Sequence, residues 1–456
     1  MQFYYLNGAW ATKMKRIRIA CLVLLFAAYP AFSNPYMETL PNGLKVVVKE
    51  DRRAPVVVSQ IWYKAGSIDE FNGTTGVAHA LEHMMFKGTK KVPAGQFSKL
   101  IAAAGGRENA FTTQDYTAFF QELDKSKLPL AMRLESDRMK NLLLSEKEFS
   151  KEIRVVMEER RMRTEDQPHA LLYEKMMSVA FQESPYRRPV IGWMNDLQNM
   201  KVGDVRNWYR RWYAPNNATL VVVGDVDHEK VFALAKKYYG RIRPSRLPVR
   251  KPQVEPPQIG IKRIEVKAPS NLPYMLMAYH VPEVRDAEHD WEPYALDVLA
   301  GVLDGYDAAR LDKALTRDNP VAVSVGAGYE DTGRGPGMFV IDATPSTGKT
   351  SLDVENAVRA QFAKIVKDGI TDEELKRVKA QVTASHVFQR DSMFYQAMQI
   401  GQLESVGLSY KDINVMLKKI GEVTADQVKA VAKKYFNDDN LTVAVLVPVK
   451  GGSHAQ

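Results

Sequence analysis

Two imidazoles and a carboxylate stand together in His79-Ala80-Leu81-Glu82-His83, and such groups can hold a divalent cation and activate water. Residues four apart on an α-helix lie one above the other, so His79 and His83 can point at a single ion. Glu82 falls one position off that line, close enough to act on a bound water without ligating. The order H-x-x-E-H inverts a pattern used by metal-dependent hydrolases. With 8 histidines in 456 residues, about 0.01 such matches arise by chance. An amphipathic helix with surface histidines is the plain alternative, and a third ligand is what separates the two.

A catalytic zinc site usually has three protein ligands and one open position. Thiolate is excluded, because the single cysteine, Cys21, lies in an N-terminal segment expected to be removed. His169, His228, His280, His289, His386 and His454 are scattered without motif context. Carboxylates are better placed: Glu152-Ile153-Arg154-Val155-Val156-Met157-Glu158-Glu159 puts Glu152 and Glu159 two helical turns apart on one face. Alone this is a solvated charged face; beside H-x-x-E-H it becomes the natural oxygen donor. Imidazole and carboxylate without thiol suit zinc, one ion per chain. Zinc lowers the pKa of a bound water from about 15.7 toward about 7, and Glu82 is free to act on such a water.

The elements that carry these residues are partly legible. The zinc motif predicts a helix, and Glu146 to Arg163 predicts another. A third helix is expected to run to Leu143, with Ser126 as N-cap and Pro129 in its first turn. Gly43 to Lys49 and Val56 to Tyr63 read as adjacent strands. Five prolines, Pro244, Pro248, Pro252, Pro256 and Pro257, mark 241–260 as a semi-rigid linker between halves 34–240 and 261–456. Asp204 to Gly224 aligns without gaps on Gln427 to Val447, each a helix ending in an aromatic pair, a polar turn and an apolar strand. This points to duplication. The expected fold is α+β, with two homologous lobes, each a mostly antiparallel sheet packed with helices.

Residues 1–33 read as an N-terminal extension and export signal. Met14 to Arg18 is basic, Ile19 to Ala28 is apolar, and Ala31 and Ser33 are small. The apolar run is too short to span a bilayer, so no membrane span is expected in the mature chain. The net charge of +9 includes Lys13, Lys15, Arg16 and Arg18, and removing them leaves +5. That excess is mild, and no aromatic-interleaved basic motif suggests nucleic acid. A periplasmic location is the expectation.

The chain resembles the pitrilysin/insulinase family of zinc peptidases, especially two-domain members related to mitochondrial processing peptidase and to bacterial exported zinc peptidases. The likeness runs through Leu40-Pro41-Asn42-Gly43-Leu44, the stretch Gly76 to Thr89 around the zinc motif, Gly105 to Thr112, and Glu152 to Glu159. It implies His79, His83 and Glu159 as ligands, Glu82 as general base, and Glu152 as an acidic residue behind the ligands. It also implies that Asn109, Ala110 and Phe111 form an edge strand pairing with extended peptide substrates. Family members often carry an Arg and a Tyr thirteen residues apart in the second half. Arg310 fits the first position as a substrate-binding candidate, but Val323 stands where Tyr is expected and has no donor for an oxyanion. A homologous subunit supplying the pair in a heterodimer would resolve this; Tyr306 or Tyr329 as substitutes would allow a homodimer. The resemblance implies an endopeptidase acting on oligopeptides or unfolded segments. The alternative is a noncatalytic structural or interaction subunit of the same fold.

Overall fold

Runs of β-branched and aromatic residues build two sheets in the computed structural model, which describes residues 34–317 and 320–449. The expected export signal and Cys21 lie outside the described residues. The first sheet contains β1 (Tyr36–Thr39), β2 (Lys45–Glu50), β3 (Val56–Tyr63), β4 (Arg107–Thr112), β5 (Thr117–Asp124) and β6 (Ala218–Gly224), in the order β1-β2-β6-β3-β5-β4. The second contains β7 (Lys262–Pro269), β8 (Tyr274–Val281), β9 (Ala322–Tyr329), β10 (Gly337–Pro345) and β11 (Leu441–Val449), in the order β7-β11-β8-β10-β9. Only β2 with β6 and β7 with β11 are parallel among these pairs. Leaving out β1, the two orders match strand for strand. The α+β reading with homologous lobes holds.

One expectation fails: β2 and β3 are not adjacent, because β6 lies between them, Val47 facing Val221 and Gln60 facing Val221 from the other side. The cause is burial. All seven residues of β6 are buried, and such a run is stable only in the middle of a sheet covered on both faces.

Six helices matter most here: α1 (Val77–Met84), α2 (Glu146–Arg160), α3 (Pro168–Ala180), α4 (Val202–Trp212), α5 (Met393–Val406) and α6 (Ala425–Tyr435). The units α4–β6 and α6–β11 are the aligned segments, placed equivalently in the two sheets. The helix before Leu143 spans Leu128–Asn141, and Asp124 rather than Ser126 caps the preceding 3₁₀ turn by accepting from the Ser126 amide at 2.9 Å. Ser126 lies inside that 3₁₀ turn, so the residue at the N-cap of the α-helix is Lys127, which makes no side-chain cap.

Each half lends a helix to the other. Leu172, Met176 and Ala180 of α3 pack on Leu276, Ala278, Ala444 and Leu446 of the second sheet. Ala397 and Ile400 of α5 pack on Val58, Trp62, Val221 and Val223 of the first. Gly401 sits so close that a Cβ there would lie 2.0 Å from the Trp62 ring. Arg334 of the second half pairs with Asp69 at 2.8 Å and donates to the Asp115 carbonyl, while the Tyr186 hydroxyl bonds the Asp115 carboxylate. The proline-rich segment is pinned too, since Glu255 accepts from the amides of Gln182, Glu183 and Ser184. No helix of the described residues is long and apolar enough to cross a membrane.

Candidate metal centre

Helix α1 begins at Gly76, whose φ of +85° and contact with the Ile191 carbonyl leave no room for a side chain. The Glu70 carboxylate accepts from the Gly76 and Ala78 amides at 2.8 and 2.9 Å, satisfying donors that the first helical turn leaves open. Val77, Ala78, Ala80, Leu81 and Met84 are buried in the core, which turns His79 and His83 toward α2. Helix α2 starts at Ser145, which accepts from the Glu148 amide, and anchors through Phe149 and Val156. It ends at Arg160 rather than Arg163 and continues as a π-helical turn, Arg161–Glu165, a geometry frequent at functional sites. The turn brings Arg163 back onto Glu159, 2.8 Å from Nη1 to Oε1.

Glu159 Oε2 lies 3.2 Å from His83 Nε2 and 3.7 Å from His79 Nε2. One ligand atom from each residue falls within 4.8 Å of the others. The separation to His79 is too long for a hydrogen bond, and His79 Nδ1 is buried without a protein partner. Burial, with the neighbouring His83 and Arg163 charges, holds the His79 imidazole down at about 3, so it is neutral and its lone pair is available. For His83, burial pulls the value down, but the Glu152 bond and the Glu159 charge prevail and raise it. Glu152 Oε1 stands 3.0 Å from His83 Nδ1, and its other oxygen 2.5 Å from Lys87 Nζ. Burial would raise the Glu152 carboxyl, yet these two bonds hold it below the usual range. Two ring nitrogens and one carboxylate oxygen thus converge, and this donor set fits a divalent cation such as zinc.

Glu82 is buried, and burial raises its carboxyl against a hydrogen bond from Thr112 Oγ1. Its opening is a cleft of about 1140 Å³ that also exposes His79, His83 and Glu159. One wall is β4, the edge of its sheet, where Asn109, Ala110 and Phe111 line the cleft. Ala110 packs on the core, while Phe111 meets Trp62 edge-on at 5.5 Å. The far wall carries Val155, Met162 and Tyr173, all exposed.

Residues 45–193 match the model for insulinase (peptidase family M16), and residues 199–382 match the M16 inactive-domain model. The zinc protease PqqE of Helicobacter pylori is 30% identical over 418 residues, covering 90% of this chain and 92% of its own. The chain belongs to the M16 peptidase family. An uncharacterized zinc protease of Mycobacterium leprae is also 30% identical, over 88% of each chain. The crystal structure of a protease from Helicobacter pylori superposes with a TM-score of 0.86 at 29% identity, over 91% of this chain and 100% of that one. The periplasmic protease PqqL of Escherichia coli shares the fold, with a TM-score of 0.77 at 19% identity, and this chain spans 48% of its length.

Within this M16 chain, His79, Glu82, His83, Glu152, Glu159 and the segment 109–111 come together, all in the half that matches the insulinase model. Arg310 does not join them. Its guanidinium makes a two-pronged pair with Glu374, at 2.6 and 2.7 Å, and donates to the Gly369 carbonyl. Glu374, in the same lobe, holds Nε and Nη2, while Nη1 is buried without a protein partner. Tyr306 lies under Arg377, and the Tyr329 hydroxyl donates to the Pro282 carbonyl, so neither lines the cleft. Val323 is 62% exposed on edge strand β9. Thr112, Lys87 and Arg163 escaped the sequence reading as site residues. Period two on β4 was the available signal for Thr112, and period four was the signal both for Lys87 after His83 and for Arg163 after Glu159.

The Arg310 bond holds Glu374 down at about 2, with a bond from the Thr371 amide adding to it. A depressed folded value stabilises above the unfolded value of about 4.3 and loses that contribution as pH falls toward 2. Arg310→Ala is expected to lower stability at neutral pH by roughly 1–3 kcal/mol and to flatten the acid limb. Urea midpoints measured from pH 7 down to pH 2 check this.

Proposed function

We propose that this chain is a zinc-dependent endopeptidase acting on extended segments of oligopeptides or unfolded proteins. One observation carries the reading: three ligand atoms from His79, His83 and Glu159 converge beside buried Glu82, next to an open strand edge. His79, His83 and Glu159 would hold the ion, which when bound supplies Lewis-acid polarisation of the scissile carbonyl and the attacking water. Glu82 then moves the proton. Thr112 occupies its Oε2, which leaves Oε1 for the water, and a carboxyl raised by burial is suited to accept a proton and pass it to the leaving amine. Glu152 keeps a proton on His83 Nδ1 and so leaves Nε2 free for the ion. Strand β4 offers unpaired backbone groups to an extended substrate, with Asn109, Ala110 and Phe111 along it.

The basic and apolar pattern at 14–33 supports export, and the periplasmic E. coli protein of like fold is in keeping with it. A homologous subunit completes the working enzyme in this reading, because Arg310 is paired with Glu374 and Val323 carries no donor. A noncatalytic subunit is the second reading, favoured by the match of 199–382 to an inactive-domain model. Cleavage of a quenched unstructured peptide, with and without chelator, decides between them. Metal-dependent cleavage is expected; bound zinc without cleavage, alone or with a partner, would favour the second reading.

A further inference from the structure

We propose that Lys87 is a positioning residue that locks Glu152 onto the outer nitrogen of His83 and thereby tightens metal binding. This rests on the metal-centre reading above. His79, His83 and Lys87 repeat at intervals of four, so one stripe carries two imidazoles and then an ammonium. The facing stripe on α2 carries Glu159 and Glu152, seven apart. The stripes pair in order: Glu159 meets His79 and His83, while Glu152 meets His83 with Oε1 at 3.0 Å and Lys87 with Oε2 at 2.5 Å. Both Glu152 oxygens are thus taken, and its carboxylate plane is set by two donors one helical turn apart.

Without Lys87, Glu152 keeps a single partner and can rotate about its side-chain torsions. His83 would then lose the fixed acceptor that holds its ring and its tautomer. Partners behind a ligand of this kind are worth about 10–100-fold in metal affinity. The position of Lys87 is itself prescribed. It closes the 3₁₀ turn Met85–Lys87, and Gly88 follows at φ +88°, where a Cβ would strike the Val92 carbonyl, so the chain must turn away at once. The plain alternative is that Lys87 serves only the helix, as a cation at its C-terminal end. That role would change stability and leave zinc affinity alone.

The experiment is a chelator-competition measurement of zinc affinity on the full chain, with thermal unfolding of the zinc-stripped protein as control. Lys87→Met is expected to weaken zinc about tenfold, and Lys87→Arg to recover most of that. Glu152→Gln should weaken it by a similar or larger factor, and the double variant should be no weaker than Glu152→Gln alone, because both changes break one link. Unchanged zinc affinity in Lys87→Met, or full additivity in the double variant, would overturn the proposal. Failure of the unaltered chain to bind zinc would instead overturn the metal-centre reading beneath it. Should Lys87→Met not fold, Lys87→Gln, which also removes the ammonium, carries the same comparison against Glu152→Gln.

Discussion

Glu82→Gln is expected to lower kcat for peptide cleavage by about 10²–10⁴-fold while zinc content stays at one ion per chain. Glutamine keeps the shape and can still accept from Thr112 Oγ1, so the hydrogen bond that seats residue 82 survives. Only the ability to take and return a proton is lost. The cleft walls are untouched, so KM should change little; an effect confined to kcat marks an interaction used in the transition state. Metal analysis alongside steady-state kinetics gives the answer. A variant turning over at the parental rate would remove Glu82 from the chemistry.

Glu159→Ala is expected to weaken zinc by more than about 100-fold and to abolish cleavage at ordinary zinc concentrations, whereas Glu152→Gln costs about 10–100-fold. The two carboxylates share one face of α2, and their roles differ only by what α1 places opposite them. Glu159 Oε2 faces two ring nitrogens at 3.2 and 3.7 Å, while Glu152 faces His83 from the opposite side of its ring. Removing Glu159 leaves two protein donors, too few for a closed tetrahedral site with one solvent position. Equilibrium dialysis of the two variants ranks them directly. The reverse ranking would exchange the roles assigned to the two residues.

The residues of the site were legible because short-range periodicity is a property of the local chain. Four-residue spacing put His79 and His83 on one helical face, and seven-residue spacing did the same for Glu152 and Glu159. Asn109 to Phe111 could be placed on a strand but not at an edge by alternation alone; the edge came from the family likeness and is confirmed by the sheet order. The gapless likeness of 204–224 to 427–447 carried the duplication, since a helix, turn and strand are encoded within one short segment.

Long-range pairing was not readable in this way. Strand β6 enters between β2 and β3 because a fully buried strand needs neighbours on both edges and cover on both faces, a demand met only after some 150 further residues of chain. The helices α3 and α5 cross between halves for the same reason: each sheet has a second apolar face that its own lobe leaves bare. Arg310 has the composition of a substrate contact, yet Glu374, sixty-four residues away, claims its guanidinium. Spacing along a helix or strand is set by backbone geometry and can be read from letters. Which charge meets which across the fold is set by the whole packing arrangement, and there the amino-acid pattern leaves several partners equally open.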